Sequence, residues 1–301
     1  TDSDVMSQES KVDRAAVEQT AVVAAGEPVV QFPNGNRYDV NLRPLPEPPA
    51  NLQPTVAGYV HELKVAAMGG NGAAAFQLHD LLASCEHAYR DQDKLEDAIQ
   101  HMYETRSYPP EALGESGAPL RIDDARSLEA AERELRESAG NCATLDSADI
   151  ATADDWLRLG AELDDALSLV VFASKAAPNV DDASNVVQAL SAEEALRRAW
   201  SQGSVTALEH LSELYRPGSN TATPDPVLAY ASRFLFDRLL RIQRAHLPDL
   251  PDDFPAPALV EQNERVLSDL MLQLRPSEVD SAVAIAEDML RSNPNCCFDS
   301  F

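Results

Sequence analysis

Apolar side chains recur along most of this chain at helical spacing. Ala74, Leu78, Leu81, Leu82, Cys85, Ala88 and Tyr89 fall on one face of a 3.6-residue period. Leu95, Ala98, Ile99, Met102 and Tyr103 repeat the pattern, and Leu128, Ala131 and Leu135 give a weaker version. Trp156, Leu159, Leu163, Ala166, Leu167 and Val170 read as one further stripe. Ala207, Leu208, Leu211, Leu214 and Tyr215 form the next, followed by Val227, Ala231, Phe234 and Leu235. Leu259, Val266, Leu270 and Leu274 precede a last stripe of Val279, Ala282, Val283, Ala286 and Leu290. No comparable alternation of β-branched residues follows residue 56. The pattern predicts an all-α body of about ten helices.

The breaks between stripes carry their own signals. Ser191 to Glu194 has the spacing of a capping box, and Thr223-Pro224 places a cap residue before a proline. Pro217-Gly218 follows the stripe that ends at Tyr215, and Pro276-Ser277 separates the last two stripes. Residues 1–50 differ: a polar stretch without sustained period, an Asn34-Gly35 turn signal, then Pro44, Pro46, Pro48 and Pro49. They read as a disordered tail and a Pro-rich extended arm, with a short strand or hairpin around Val29–Val40. The expected organisation is therefore this arm over 1–50, a helical-repeat domain over 51–292 and a flexible C-terminal tail over 293–301.

The stripes repeat as a set. Gly203, Ala207 and Leu211 match Gly70, Ala74 and Leu78 in spacing, and Glu162, Ala166 and Val170 keep the small and the apolar position. About 40 residues separate Ala166 from Ala207, the length of two short helices, and about 90 separate Ala74 from Ala166, near two such periods plus an insertion. Alanine lets paired helices approach, and glycine ends the preceding helix. The unit running from Ala195 through Trp200, Gly203, Ala207, Leu211, Tyr215 and Gly218 to Asp225, Ala229, Tyr230 and Ala231 resembles the Sel-one-like repeat, a relative of the tetratricopeptide repeat. Trp156, Leu157, Gly160, Ala161, Phe172 and Ala173 look like fragments of another unit. The resemblance is clear over about 190–240, weaker over 60–103 and 150–180, and absent over 1–50. Glu162 departs from it, standing where the family has glycine, and the loop from Gly218 to Asp225 lacks a second glycine. The resemblance implies an α-solenoid of stacked antiparallel helix pairs, and a non-enzymatic role in assembling protein complexes, often at the bacterial envelope.

Charge narrows the partners. Among 301 residues, 24 Lys and Arg face 50 Asp and Glu, for a net charge of −26. Such a field repels nucleic acid and anionic membranes and favours a protein or peptide with a basic surface. The longest apolar run, Leu167 to Ala173, is broken by Ser168 and is far below the ~20 residues of a transmembrane helix. The chain begins at Thr1 rather than Met, so the start reads as a processed end or an artificial boundary, with any targeting peptide out of view.

Candidate chemistry is sparse. The six histidines (His61, His79, His87, His101, His210 and His246) contain no i, i+4 pair of the helical zinc type. No serine occupies a G-x-S-x-G elbow, and Gly69-Gly70-Asn71-Gly72 lacks the strand and Lys-Ser/Thr of a phosphate loop. Adjacent acids such as Asp123-Asp124, Asp154-Asp155, Asp164-Asp165, Asp181-Asp182 and Asp252-Asp253 fall mostly at helix starts, where the helix dipole favours them. No catalytic residue, metal or cofactor is expected.

Cys85 and Cys142 are either a bridge or two separate buried thiols. A bridge would contribute about 3–4 kcal/mol by loop closure and would point to an oxidising compartment such as the periplasm; free thiols would point to the cytoplasm. Cys296-Cys297 reads as free thiols in a polar tail, with intermolecular pairing as the alternative. In a solenoid, aromatic residues off the main stripes line the peptide groove, or else pack between helices. Tyr59, Phe76, Trp156, Trp200, Tyr230 and Phe236 are the partner-contact candidates. The expected function is a periplasmic or secreted scaffold or adaptor. The alternative is an inhibitor or immunity-type protein that neutralises one basic toxin or enzyme.

Overall fold

Aspartate and asparagine set six of the twelve described helix starts, because each accepts from amides that the first turn leaves without partners. In the computed structural model, Asn71 accepts from Ala74 N, Asp91 from Asp93 and Lys94 N, Asp124 from Ser127 N, and Asp225 from Val227 and Leu228 N. The structure describes residues 28–43, 56–109, 121, 122, 124–176, 192–218, 224–246 and 257–298. The helices are α1 (Val56–Met68), α2 (Gly72–Glu86), α3 (Gln92–Thr105), α4 (Ala125–Cys142), α5 (Ser147–Ile150) and α6 (Ala153–Glu162). They continue as α7 (Ala166–Ala176), α8 (Ala192–Ser201), α9 (Thr206–Tyr215), α10 (Pro226–His246), α11 (Pro257–Met271) and α12 (Pro276–Arg291). Strands β1 (Val29–Gln31) and β2 (Arg37–Asp39) pair antiparallel, with Val30 opposite Tyr38, and turn at Asn34-Gly35. The fold is all-α apart from this hairpin.

Two helix boundaries differ from the pattern. Helix α10 begins at Pro226 behind its cap Asp225, two residues later than Thr223-Pro224 suggests; Thr223, like Ser191, lies outside the described residues. The stripe from Trp156 to Val170 is two helices, not one. Helix α6 ends at Glu162, Asp164 turns the chain with φ 60, and Asp165 caps α7 by accepting from Ser168 N. A 3.6 period that survives a tight turn cannot be told from a continuous helix by spacing alone.

This turn corrects the repeat register. Gly70 and Gly203 adopt φ of 96 and 104 just before α2 and α9, and Asp164 holds the matching left-handed position before α7. The residue equivalent to Ala74 and Ala207 is therefore Ser168, which is fully buried, while Ala166 is only half-buried. Ser168 also packs closely against Gly160 of α6. A Cβ on Gly160 would stand 2.1 Å from Ser168 Oγ, so glycine here permits the helices to touch. The remaining repeat-defining residues, Leu78, Leu211, Tyr215, Ala229 and Ala231, are buried, and Gly218 has φ 97.

Successive helices pack on one another. Helix α1 lies on α2, α2 on α6, α6 on α7, α7 on α8, α8 on α9 and α9 on α10, and α10 also carries α11 and α12. Helix α2 touches both α6 and α7, so α3–α5 lie in the chain between helices that pack directly on one another. The inserted α3–α4 pair has its own small core of Leu95, Ile99, Met102, Leu128 and Leu135. A second core joins α1, α2, α5 and α6, and the largest runs from α6 to α12 and includes the hairpin.

Both ends of the described chain are sewn into this large core. Val30, Phe32 and Val40 of the hairpin are buried in it. The segment after α12, expected to be flexible, is packed as far as Phe298. Asn41 N donates to Cys296 O, Cys297 N to Asn41 O and Arg43 N to Cys297 O, so the segment runs parallel beside residues 41–43. On its other side Phe298 N donates to Gly203 O, and Asn293 caps the Trp200 carbonyl. A polar tail becomes fixed when its amides find partners on two sides.

The Glu287 carboxylate anchors the hairpin to α12. It is buried and accepts from the Asn34 and Asn36 side-chain amides and from the Tyr38 hydroxyl. Glu287→Ala leaves these donors without their acceptor and is expected to cost about 1–2 kcal/mol. Hydrogen exchange should then speed up over 29–40 while α2 and α6 keep their protection. Equal exchange in both proteins would refute the anchoring role.

Candidate functional site

Helices α8, α9, α10 and α12 do not close completely on one another, and a cleft of about 450 Å³ remains between them. Leu211 from α9, Leu228 from α10 and Ala284, Ile285 and Met289 from α12 supply apolar surface. Arg197, Tyr215, Ser232, Asp288 and Ser292 supply the polar groups. The apolar share follows from α12 itself. Ala282, Ala286 and Leu290 face the core, and Ile285 and Met289, four residues apart, form a second stripe beside them.

The charges around the cleft are partly spent. Arg197 Nε donates to Glu193 Oε1 at 2.9 Å and Nη2 donates to the Tyr215 hydroxyl at 2.9 Å. Burial first, and the Glu193 carboxylate second, push the Tyr215 phenol up to about 12. The Tyr215 hydroxyl, and Arg197 after it, hold Glu193 below the usual carboxylate range. Asp288 is exposed and, among the described residues, pairs with Arg291 at 3.6 Å, whose guanidinium also donates to the Tyr38 hydroxyl. Asp288 is thus the acidic feature of the rim with the weakest compensation.

The raised phenol has a measurable consequence. An acid whose pKa rises on folding contributes stability below its unfolded value, and loses it as pH rises through the folded one. For Tyr215 that window runs from about 10, the value of a free phenol, to about 12. Difference absorbance at 295 nm of wild type against Tyr215→Phe should place the missing ionisation near the top of this window. An ionisation at the free-phenol value would refute the arrangement of buried Tyr215 beside Glu193 and Arg197.

Of the partner-contact candidates, none lines this cleft. Trp200, Tyr230 and Phe236 are buried in the main core, so a partner cannot reach them without unpacking it. Tyr230 stacks on Phe234 with ring centroids 6.0 Å apart, and Phe236 packs against the buried Arg233 guanidinium. Tyr59, Phe76 and Trp156 are half-buried near the other end of the helix series. The Tyr59 hydroxyl donates to Gln77 Oε1, and the Trp156 indole donates to Thr152 Oγ1. Two cleft residues, Leu211 and Tyr215, were legible as repeat positions; the α12 contribution was not.

The four cysteines are paired within the chain. Cys85 and Cys142 form a disulfide with Cα atoms 5.4 Å apart, joining α2 to the end of α4. Cys296 and Cys297 are joined to each other, and both are buried, rather than being free thiols in a loose tail.

The cleft offers apolar contact, hydroxyls and one acidic rim position. Histidine is not among its lining residues. His210 lies elsewhere, near Ser174, with burial holding its imidazole below the usual value. Among the described residues no group of three or more His, Cys, Asp or Glu side chains is placed to hold a metal ion, and no helix is long and apolar enough to cross a membrane. Comparison with known proteins returned no matching family model, no matching curated protein and no matching solved structure.

Proposed function

We propose that this chain is a non-enzymatic scaffold or adaptor of the Sel-one-like type. In this reading the helices form a solenoid, and the cleft between α8, α9, α10 and α12 engages a basic protein or peptide. The observation that carries the reading is that cleft: an apolar strip among stacked helices, with the exposed carboxylate of Asp288 at its rim. The repeated left-handed turn before α2, α7 and α9 supports the stacked arrangement. The net charge of −26 favours a basic partner. The Cys85–Cys142 bridge favours an oxidising address such as the bacterial envelope.

Ala284→Trp tests the site, because Ala284 is an exposed residue of the cleft wall and an indole there fills the cleft. Native complexes are captured by cross-linking on wild type and variant and compared by quantitative mass spectrometry. Binding through the cleft predicts loss of the basic partner in the variant. It also predicts affinity falling about tenfold as salt is raised from low to several hundred millimolar, since exposed charge pairs are screened. Retention of the partner by the variant would reject the cleft, and indifference to salt would reject the charge argument. Several co-captured components of one complex favour the scaffold. A single tight partner favours the alternative, an inhibitor of one basic toxin or enzyme.

A further inference from the structure

A second cavity lies where the end of α2 meets the α3–α4 insertion, away from the cleft and independent of the function proposed for it. Its volume is about 240 Å³. Tyr89 and Tyr108 line it together with Ala88, Leu135 and the Glu134 carboxylate. The remaining lining is His87 and two serines, so neither Lys nor Arg contributes to the wall. Both tyrosines pack on the α3–α4 core, and Leu135 belongs to that core. The rings therefore have a rigid backing. The Tyr108 phenol is pushed up by burial first and then by the neighbouring Glu134, which places that carboxylate beside the ring. Ser84 of the wall is followed by Cys85, whose bond to Cys142 holds α2 against α4. The cavity is thus formed before any ligand arrives.

This combination has a chemical complement. Phenol rings attract cations through their negative faces, and a carboxylate adds a full opposite charge. The aliphatic wall of Ala88 and Leu135 suits methyl or methylene groups. A volume below the range of drug-sized pockets restricts the occupant to a small head group. An anion would meet the Glu134 carboxylate in a wall without Lys or Arg, and a bare metal ion would leave the aliphatic wall unused. The geometry points to a binding site for an organic ammonium group, held between Tyr89 and Tyr108 with Glu134 as its counter-charge. The group is either a free alkylammonium or the side-chain amine of a lysine, and the two share this chemistry.

The test uses the 301-residue, 15N-labelled chain with its disulfides intact, titrated with choline chloride and with its neutral isostere 3,3-dimethylbutan-1-ol. The expected result is saturable shift changes confined to residues 84–89, 108 and 134–138, with the isostere at least tenfold weaker. Glu134→Gln should weaken choline at least fivefold. Tyr108→Leu should do so as well, while Tyr108→Phe, which keeps the ring, should retain most of the affinity. Thermal melting of each variant confirms that it is folded before it is titrated. Nα-acetyl-lysine amide forms the second arm: tighter choline assigns the site to a free quaternary amine, and tighter lysine assigns it to a protein side chain. Absence of saturable shifts with both ammonium probes overturns the proposal. So does equal binding of the neutral isostere, or a response that Glu134→Gln leaves unchanged.

Discussion

Replacing Cys85 and Cys142 together by serine is expected to lower the unfolding free energy by about 4 kcal/mol, the loop-closure value for a cross-link of this span. The bridge spans 57 residues, and the loop it closes contains all of α3 and α4. These helices have a small core of their own, built on Leu95, Ile99, Met102, Leu128 and Leu135. A unit with so little buried apolar surface is marginal when untethered. The loss should therefore be uneven. Hydrogen exchange should rise most over α3 and α4, and less over α8 to α10, which belong to the large core. Urea unfolding with and without reductant gives the total, and exchange gives the distribution. Equal midpoints under the two conditions would show that the bridge contributes nothing to the fold.

The second large effect is expected from Gly203→Ala, at about 3 kcal/mol. Two costs add. The residue sits at φ 104, where a Cβ is disfavoured by about 1–2 kcal/mol. Its Cβ would also stand 2.5 Å from Asn295 O and 2.9 Å from the Phe298 ring, and overpacking of this kind costs about 1–3 kcal/mol. Gly218→Ala separates the two. Gly218 has φ 97 but nothing within 4 Å of its would-be Cβ, so only the backbone cost of about 1–2 kcal/mol remains. Thermal melts of the two variants should differ clearly, and only Gly203→Ala should expose residues 293–298 to exchange. Equal losses in the two variants would mean that the C-terminal segment does not press on the α8–α9 turn.

The contrast between these glycines shows how far spacing reaches. Gly70, Gly203 and Gly218 were all legible as breaks, because glycine after an apolar stripe ends a helix whatever lies nearby. That Gly203 also admits the C-terminal segment depends on Phe298, which lies far along the chain, and no periodicity encodes that contact. Asp164 is the converse case. It performs glycine's turn in the α6–α7 pair, and the surviving stripe from Trp156 to Val170 concealed it.

The candidate site divides in the same way. Leu211 and Tyr215 were visible because the repeat marks them, whereas Arg197, Ser232 and Asp288 carry no pattern that distinguishes them from other polar helix residues. Trp200, Tyr230 and Phe236 lie off the simplest stripes yet are buried, because a helix enclosed on several sides hides more than one face. Helix α10, packed by α9, α11 and α12, is such a helix.

By itself the sequence determined what is local: an all-α body, its capping aspartates and the small residues that let paired helices touch. These depend on neighbours three or four positions away, within one helical turn. The tertiary structure alone decided that α3–α5 lie between helices that pack directly on one another, that Cys85 meets Cys142, and that the hairpin and the C-terminal segment seal the far end. It also decided where the helices part to leave a cleft and a small aromatic cavity. Those contacts join residues tens to hundreds of positions apart, and only the folded chain brings such residues within reach of one another.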